Sequence, residues 1–252
     1  MVVLITGATS GIGKAAAIIF AKNGYNIILT GRREERLNVL QQELTQKYKV
    51  EVLVSCFDIR KREQVKAAVA SFNGKWGEIN ILINNAGLAA GLASFQEGDV
   101  DDWEQMIDTN IKGLVYITRA LTPIMIANAK GGHIINLGSI AGKEVYANGN
   151  IYCATKHAVD ALSKAMRIDL LQHNIKVTAI HPGMVETEFS VVRFKGDVDR
   201  AKKVYEGLQP LMANDIADTI YWVATRPPHV TINELVIMPT AQATATTVVR
   251  KL

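Results

Sequence analysis

Short runs of aliphatic and β-branched residues alternate with longer amphipathic stretches along nearly the whole chain. The pattern predicts strands over 2–6, 26–30, 50–57, 79–84, 133–137, 175–181 and 235–237. It predicts helices near 12–23, 33–47, 61–73, 101–128, 151–173 and 213–225, with a looser stretch up to about 212. The strands are almost continuously apolar rather than alternating, as strands covered on both faces are. Strand–helix alternation implies parallel pairing through right-handed crossovers. No Pro/Gly-rich linker, composition shift or internal repeat divides the chain. The expected fold class is therefore α/β, one doubly wound domain over 1–252 with about seven parallel strands and helices on both faces.

In such sheets ligands sit at the carboxyl ends of the strands, near the point where strand order reverses. The residues just after each strand are the ones to read for chemistry. After the first strand come Thr6-Gly7-Ala8-Thr9-Ser10-Gly11-Ile12-Gly13 and then an apolar helix. Glycines at a helix N-terminus let backbone N–H groups approach an anion, which the helix dipole also attracts. The spacing is G-x-x-x-G-x-G rather than G-x-G-x-x-G, and no Gly-Lys-Ser/Thr of a P-loop is present. The second strand ends at Thr30-Gly31-Arg32-Arg33, where NAD-binding folds usually carry an acid for the ribose 2′-hydroxyl. An arginine there suits a 2′-phosphate through paired N–H donors, so NADP is expected over NAD. Asp58, after the third strand, admits two readings: an acceptor for the adenine amino group, or a cap for the helix near 61–73.

The fourth strand runs into Asn84-Asn85-Ala86-Gly87, and the fifth into Leu137-Gly138-Ser139. Tyr152 and Lys156 follow at i, i+4, one turn apart on one helix face. A free phenol, with a pKa near 10, is a poor base at neutral pH, and a neighbouring ammonium is expected to lower it. Ser139 can hold the same substrate oxygen. Each feature alone has a structural reading: a packed Tyr beside a solvated Lys, or a Ser capping the next helix. Their joint occurrence, each after the appropriate strand, is what points to a reacting centre.

Composition narrows the alternatives. Charged residues at 21% and hydrophobic residues at 48% of 252 exclude a disordered chain. No apolar run reaches the roughly 18–20 residues of a membrane span, and the start Met1-Val2-Val3-Leu4 lacks a signal peptide's basic region. Cys56 and Cys153 make neither a disulfide framework nor a zinc site, and five scattered histidines suggest no metal. The net charge of +4 is spread along the chain, so no nucleic-acid partner is expected. A soluble cytoplasmic protein with a small-molecule substrate is the expectation.

From about residue 2 to 239 the chain resembles the short-chain dehydrogenase/reductase family, which has a Rossmann-type fold. Thr6-Gly7 through Gly13 matches its glycine motif, and Asn84-Asn85-Ala86-Gly87 its N-N-A-G. Ser139, Tyr152 and Lys156 fit three catalytic positions and Asn110 the fourth. Pro182-Gly183-Met184-Val185-Glu186-Thr187 fits the segment that holds the nicotinamide carboxamide. The resemblance implies hydride transfer with Tyr152 as general acid/base, Lys156 lowering its pKa and binding ribose, and Ser139 steadying the substrate oxygen. It implies that Asn110 maintains helix geometry and a water near Lys156. Implied cofactor contacts are Gly7, Thr9, Ser10, Gly11, Ile12, Gly13, Arg32, Arg33, Asp58, Asn85, Ala86, Gly87, Tyr152, Lys156, Pro182, Gly183, Val185 and Thr187.

The substrate loop, about 184–212, and the C-terminal end are similar to those of a subgroup acting on 3-hydroxy acids with NADP, including serine and allo-threonine dehydrogenases. Arg193 is the expected carboxylate anchor, with Lys195 a weaker candidate. Other readings are a reductase of neutral aldehydes or ketones, and a non-catalytic NADP(H)-binding sensor. The apolar tail 235–252 is expected to be buried against another subunit, and the family implies a homotetramer.

Overall fold

The computed structural model describes residues 1–128 and 131–251. In chain order the elements are β1 (Val2–Ile5), α1 (Gly11–Lys22), β2 (Asn26–Gly31), α2 (Glu34–Tyr48), β3 (Val52–Cys56), α3 (Arg62–Ala70), β4 (Ile79–Asn84), α4 (Val100–Ile107) and α5 (Leu114–Ala127). There follow β5 (Gly132–Leu137), α6 (Asn150–Asp169), β6 (Ile175–Pro182), β7 (Val185–Glu186), α7 (Phe189–Arg193), α8 (Val198–Lys203), β8 (Leu211–Met212), α9 (Ala213–Ala224) and β9 (Glu234–Ile237). Seven strands pair in the order β3-β2-β1-β4-β5-β6-β9, and β7 pairs separately with β8. Every pairing in the large sheet is parallel. Order reverses between β1 and β4, which puts the ligand crevice at their carboxyl ends.

The sheet is covered on both faces, which is why its strands read as unbroken apolar runs. Val3 and Ile5 pack with Ala16 and Phe20 of α1 and Ile220 of α9 on one face. Val2 and Leu4 pack with Ile117 and Leu121 of α5 on the other. Successive side chains of a strand point to opposite faces, so the four residues of β1 serve two cores. Truncating Leu4, which is fully buried, to Ala costs about 2–5 kcal/mol by the usual cavity and transfer terms.

Two expectations need correction. The long helix over 101–128 is interrupted: residues Asp108–Gly113 form a wide π-type turn between α4 and α5. There the Asn110 amide bonds outside the helix, to Leu88, and at Gly113 a Cβ would come within 2.9 Å of Ile59. Asp58 does not cap α3, whose N-cap is Lys61; its carboxylate turns back to Arg60 instead. Backbone groups of the tail also bond within the chain. Val249 N–H donates to the Ala241 carbonyl, Ala245 N–H to Glu144 and Lys251 N–H to the Gly207 carbonyl. Leu252 lies outside the described residues.

Candidate active site

A cleft of about 570 Å³ opens at the carboxyl ends of β1 and β4 and gathers nearly all the residues singled out from the sequence. The glycine turn forms its floor. Gly7 has φ +67, and a Cβ there would strike the Ala86 backbone at 2.9 Å, so only glycine lets these two loops touch. Thr6, the first residue of the glycine motif, is the joint between them. Its hydroxyl accepts from the N–H groups of Asn85 and Ala86, each at 3.0 Å. Asn85 Nδ2 returns two bonds, to the carbonyls of Thr6 at 2.9 Å and Gly7 at 3.1 Å. The Ser10 side chain makes no capping bond to α1, which leaves the helix's first N–H groups free to meet an anion.

At the far end of the floor Arg33 is organised by the glycine turn itself. Its guanidinium donates to Thr9 Oγ1 at 2.7 Å and Ser10 Oγ at 2.8 Å, and pairs with Glu188 at 2.9 Å. Arg36 pairs with the same Glu188 at 2.7 Å. Arg32 lines the cleft, and its charge helps hold the Asp58 carboxyl below the usual range, after the larger effect of the Arg60 hydrogen bond. Asp58 also lines the cleft, with Arg60 bonded to both its oxygens.

The reacting end lies opposite, where β5 meets α6. Ser139 closes β5, and its Oγ accepts from Ala141 N–H at 3.1 Å, so the residue caps a single turn as well as facing Tyr152. Tyr152 and Lys156, both buried, share the first turns of α6. Lys156 Nζ donates to the Leu137 carbonyl at 2.9 Å and stands 5.9 Å from the Tyr152 ring centroid. Burial pushes the Lys156 ammonium down to about 8. The expected lowering of the Tyr152 phenol is corrected: burial pushes it well above the ordinary value. The opposing pulls come from the Ser139 hydroxyl and the Arg193 charge, and burial outweighs both.

Asn110 ties this end together. Its Oδ1 accepts from Leu88 N–H at 2.9 Å, and its Nδ2 donates to the Leu88 carbonyl at 2.8 Å and Thr155 Oγ1 at 3.0 Å. The π-type turn is what directs this amide out of the helix, a common device near functional sites. Pro182, Gly183, Val185 and Thr187 line the wall after β6. Gln242 from the tail accepts from Met184 N–H at 2.8 Å and stands against Gly183, so the tail is part of the cleft.

Arg193 lies beside the phenol. Its guanidinium carbon is 5.7 Å from the ring centroids of both Tyr146 and Tyr152, and its Nε donates to the Gly91 carbonyl at 3.2 Å. Lys195 is drawn elsewhere, to Asp99 at 3.2 Å and Asp102 at 3.0 Å. Tyr146 and Phe189, whose ring is 5.7 Å from that of Tyr152, complete the wall; neither was legible from spacing.

The sequence profile described as short chain dehydrogenase matches residues 1–197. An NADP-dependent 3-hydroxy acid dehydrogenase of Salmonella typhi is 48% identical over 246 residues, covering 97% of each chain. A protein of Chromohalobacter salexigens named sulfoacetaldehyde reductase 2 is 45% identical over 242 residues, covering 96% of this chain and 95% of its own. Among solved structures, the closed form of a serine dehydrogenase complexed with NADP+ superposes with a TM-score of 0.92 at 45% identity, covering 100% of both chains.

Proposed function

We propose, proceeding from the fact that this chain belongs to the short-chain dehydrogenase family, that it is an NADP-dependent oxidoreductase of small 3-hydroxy acids and the corresponding carbonyl compounds. The residues fit the cofactor. The glycine turn offers free N–H groups and close backbone approach, and β2 ends in two arginines where an acid would reject a 2′-phosphate. Gly7, Thr9, Ser10, Gly11, Ile12 and Gly13 would hold the pyrophosphate side, with Arg32 and Arg33 on the 2′-phosphate. Asp58, Asn85, Ala86, Gly87, Pro182, Gly183, Val185 and Thr187 would line the remainder. Bound NADPH supplies a hydride, and NADP+ accepts one in the reverse direction.

The chain's own residues supply the proton and the orientation. In reduction the carbonyl oxygen gains negative charge and needs a proton; Tyr152, held neutral by burial, donates its phenolic proton there. Ser139 donates its hydroxyl hydrogen bond to the same oxygen, since its Oγ already accepts from Ala141. Lys156 holds the ribose and keeps a positive charge near the phenolate that donation leaves. Asn110 keeps α6 and the Leu88 loop in register around them.

One observation carries the choice of an acidic substrate: the Arg193 guanidinium 5.7 Å from the Tyr152 ring, fixed through its Nε to the Gly91 carbonyl. A short substrate whose reacting carbon meets Tyr152 brings a terminal anion within reach of Arg193. The names of the two relatives share this feature, a carboxylate in one and a sulfonate in the other. The deciding experiment is initial rates of nicotinamide absorbance change with L-serine, L-allo-threonine, 3-hydroxypropionate and a neutral secondary alcohol, each with NADP and NAD. Turnover of the acids with NADP supports the reading; turnover of the neutral alcohol alone removes the acid site and leaves a neutral carbonyl reductase.

The chain acts as one cofactor-binding and catalytic domain, with the 184–212 loop and the tail as its substrate side. A homotetramer is supported by the edge position of β9, where Val236 is exposed, and by the exposed Trp222 of α9. Sedimentation at micromolar concentration checks it. A cytoplasmic location is supported by Cys56 and Cys153, both free thiols. Among the described residues no helix is long and apolar enough to cross a membrane.

A further inference from the structure

Behind Ser139 the imidazole of His181, a β6 residue, is fully buried. Its Nδ1 lies 3.2 Å from the Ser139 backbone carbonyl oxygen. A Cβ on Gly138 would sit 2.5 Å from that nitrogen and 2.7 Å from Cε1, so glycine at 138 is what admits the ring. Gly138 N–H also donates to the Ile180 carbonyl at 2.7 Å, which draws the ends of β5 and β6 together at this point.

The far side of the ring faces charges that are already matched. Nε2 is 3.5 Å from Asp160 Oδ1, but that oxygen accepts from Lys143 at 2.9 Å, and Oδ2 accepts from Lys164 at 2.8 Å. Lys143 also pairs with Glu234 of β9 at 2.7 Å. The groups around the ring are thus Lys143 from the turn after Ser139, Asp160 and Lys164 from α6, and Glu234 from β9: two carboxylates against two ammonium groups. His181 Nε2 has no hydrogen-bond partner among the described residues. Asp160, His181 and Glu234 are close enough together for a cation, but the Lys143 ammonium already stands between the two carboxylates. A neutral ring in this setting has one good use for its proton, at Nδ1.

We propose that His181 is a positioning residue for Ser139, its Nδ1–H holding the Ser139 carbonyl from behind. The Ala141 N–H fixes one lone pair of Oγ at 3.1 Å, and His181 fixes the backbone that carries it. Together they leave the hydroxyl hydrogen free to point at the substrate oxygen. The inference rests on the reading that Ser139 meets that oxygen.

The first test uses the unmodified full-length protein with 15N-labelled histidine at pH 7. Nitrogen chemical shifts and couplings should show His181 as the Nδ1–H tautomer; an Nε2–H tautomer overturns the proposal whatever the activity. The second test compares His181→Asn, which keeps an amide donor near the Nδ1 position, with His181→Leu, which removes it. His181→Leu should lose about tenfold in kcat, as a small misplacement of an orienting group does. Its NADPH affinity by fluorescence titration should stay within about twofold, and His181→Asn should recover most of the kcat. Wild-type kcat in the Leu variant, or equal loss in both folded variants, overturns the proposal. Where His181→Leu does not fold, the tautomer alone decides. Ser139→Ala is the control: if it leaves turnover unchanged, the role of Ser139 fails rather than that of His181.

Discussion

The buried Tyr152 phenol is protonated at neutral pH, as a group that must give its proton to a nascent alkoxide has to be. Tyr152→Phe removes that proton and little volume. Turnover should fall by about 10²–10⁴, the usual range for a lost acid/base, while NADPH titrated by fluorescence binds nearly as before. At the other end of the cleft, Arg32→Ala should weaken NADP more than NAD by about 1.5–3 kcal/mol, the value of a hydrogen bond to a charged group. Equal losses for the two cofactors would remove Arg32 from the 2′-phosphate. These residues were legible because their chemistry is tied to a spacing or to the end of a strand. Tyr146 and Gln242 were not. Both act through contacts across a long sequence separation, such as Gln242 to Met184 over 58 residues, and nothing local marks them.

The elements proposed to carry substrate recognition are held by contacts of unequal worth. Arg193, beside the phenol, is bonded to the Gly91 carbonyl, and Gly91 N–H donates back to the Arg193 carbonyl at 2.9 Å. Two residues on, Lys195 ties the same loop to Asp99 and Asp102 from an exposed position. Arg193→Ala should therefore raise KM for acids by about ten- to a hundredfold, as loss of a charge-assisted bond does, and leave neutral alcohols unaffected. Lys195→Met removes the pairs to Asp99 and Asp102, which lie away from the phenol, so its KM should rise no more than about fivefold. Steady-state kinetics on both variants with both substrate types checks the order. Element type was readable throughout the sheet, since apolar runs report strands covered on two faces. The break at Asn110 was hidden because its i, i+3, i+4 pattern continues smoothly from α4 into α5. A polar amide serving Leu88 and Thr155 stands at the break, and hydrophobic periodicity is blind to that.

For the molecule as a whole, the sheet that builds the crevice also encloses two imidazoles, and this fixes how the fold responds to acid. His133 of β5 and His181 of β6 are both buried, and burial is the main cause that lowers both pKa values. For His133 the fall is from 6.5 to about 3. Between those values the unfolded chain binds a proton that the folded chain refuses, so stability rises with pH across the window and is lost as pH falls from 6.5 towards 3. One such group changes the unfolding free energy by at most about 1.4 kcal/mol per pH unit. Urea unfolding at fixed temperature should show the midpoint falling steadily from about pH 6.5 to about pH 4.5. The slope in His133→Gln should be shallower by about that amount, since Gln can keep the partner Thr178 Oγ1 at 2.8 Å but cannot titrate. An unchanged slope would mean the folded protein already accommodates a charged ring between β4 and β6. The sheet would then be wetter at its centre than its apolar runs imply.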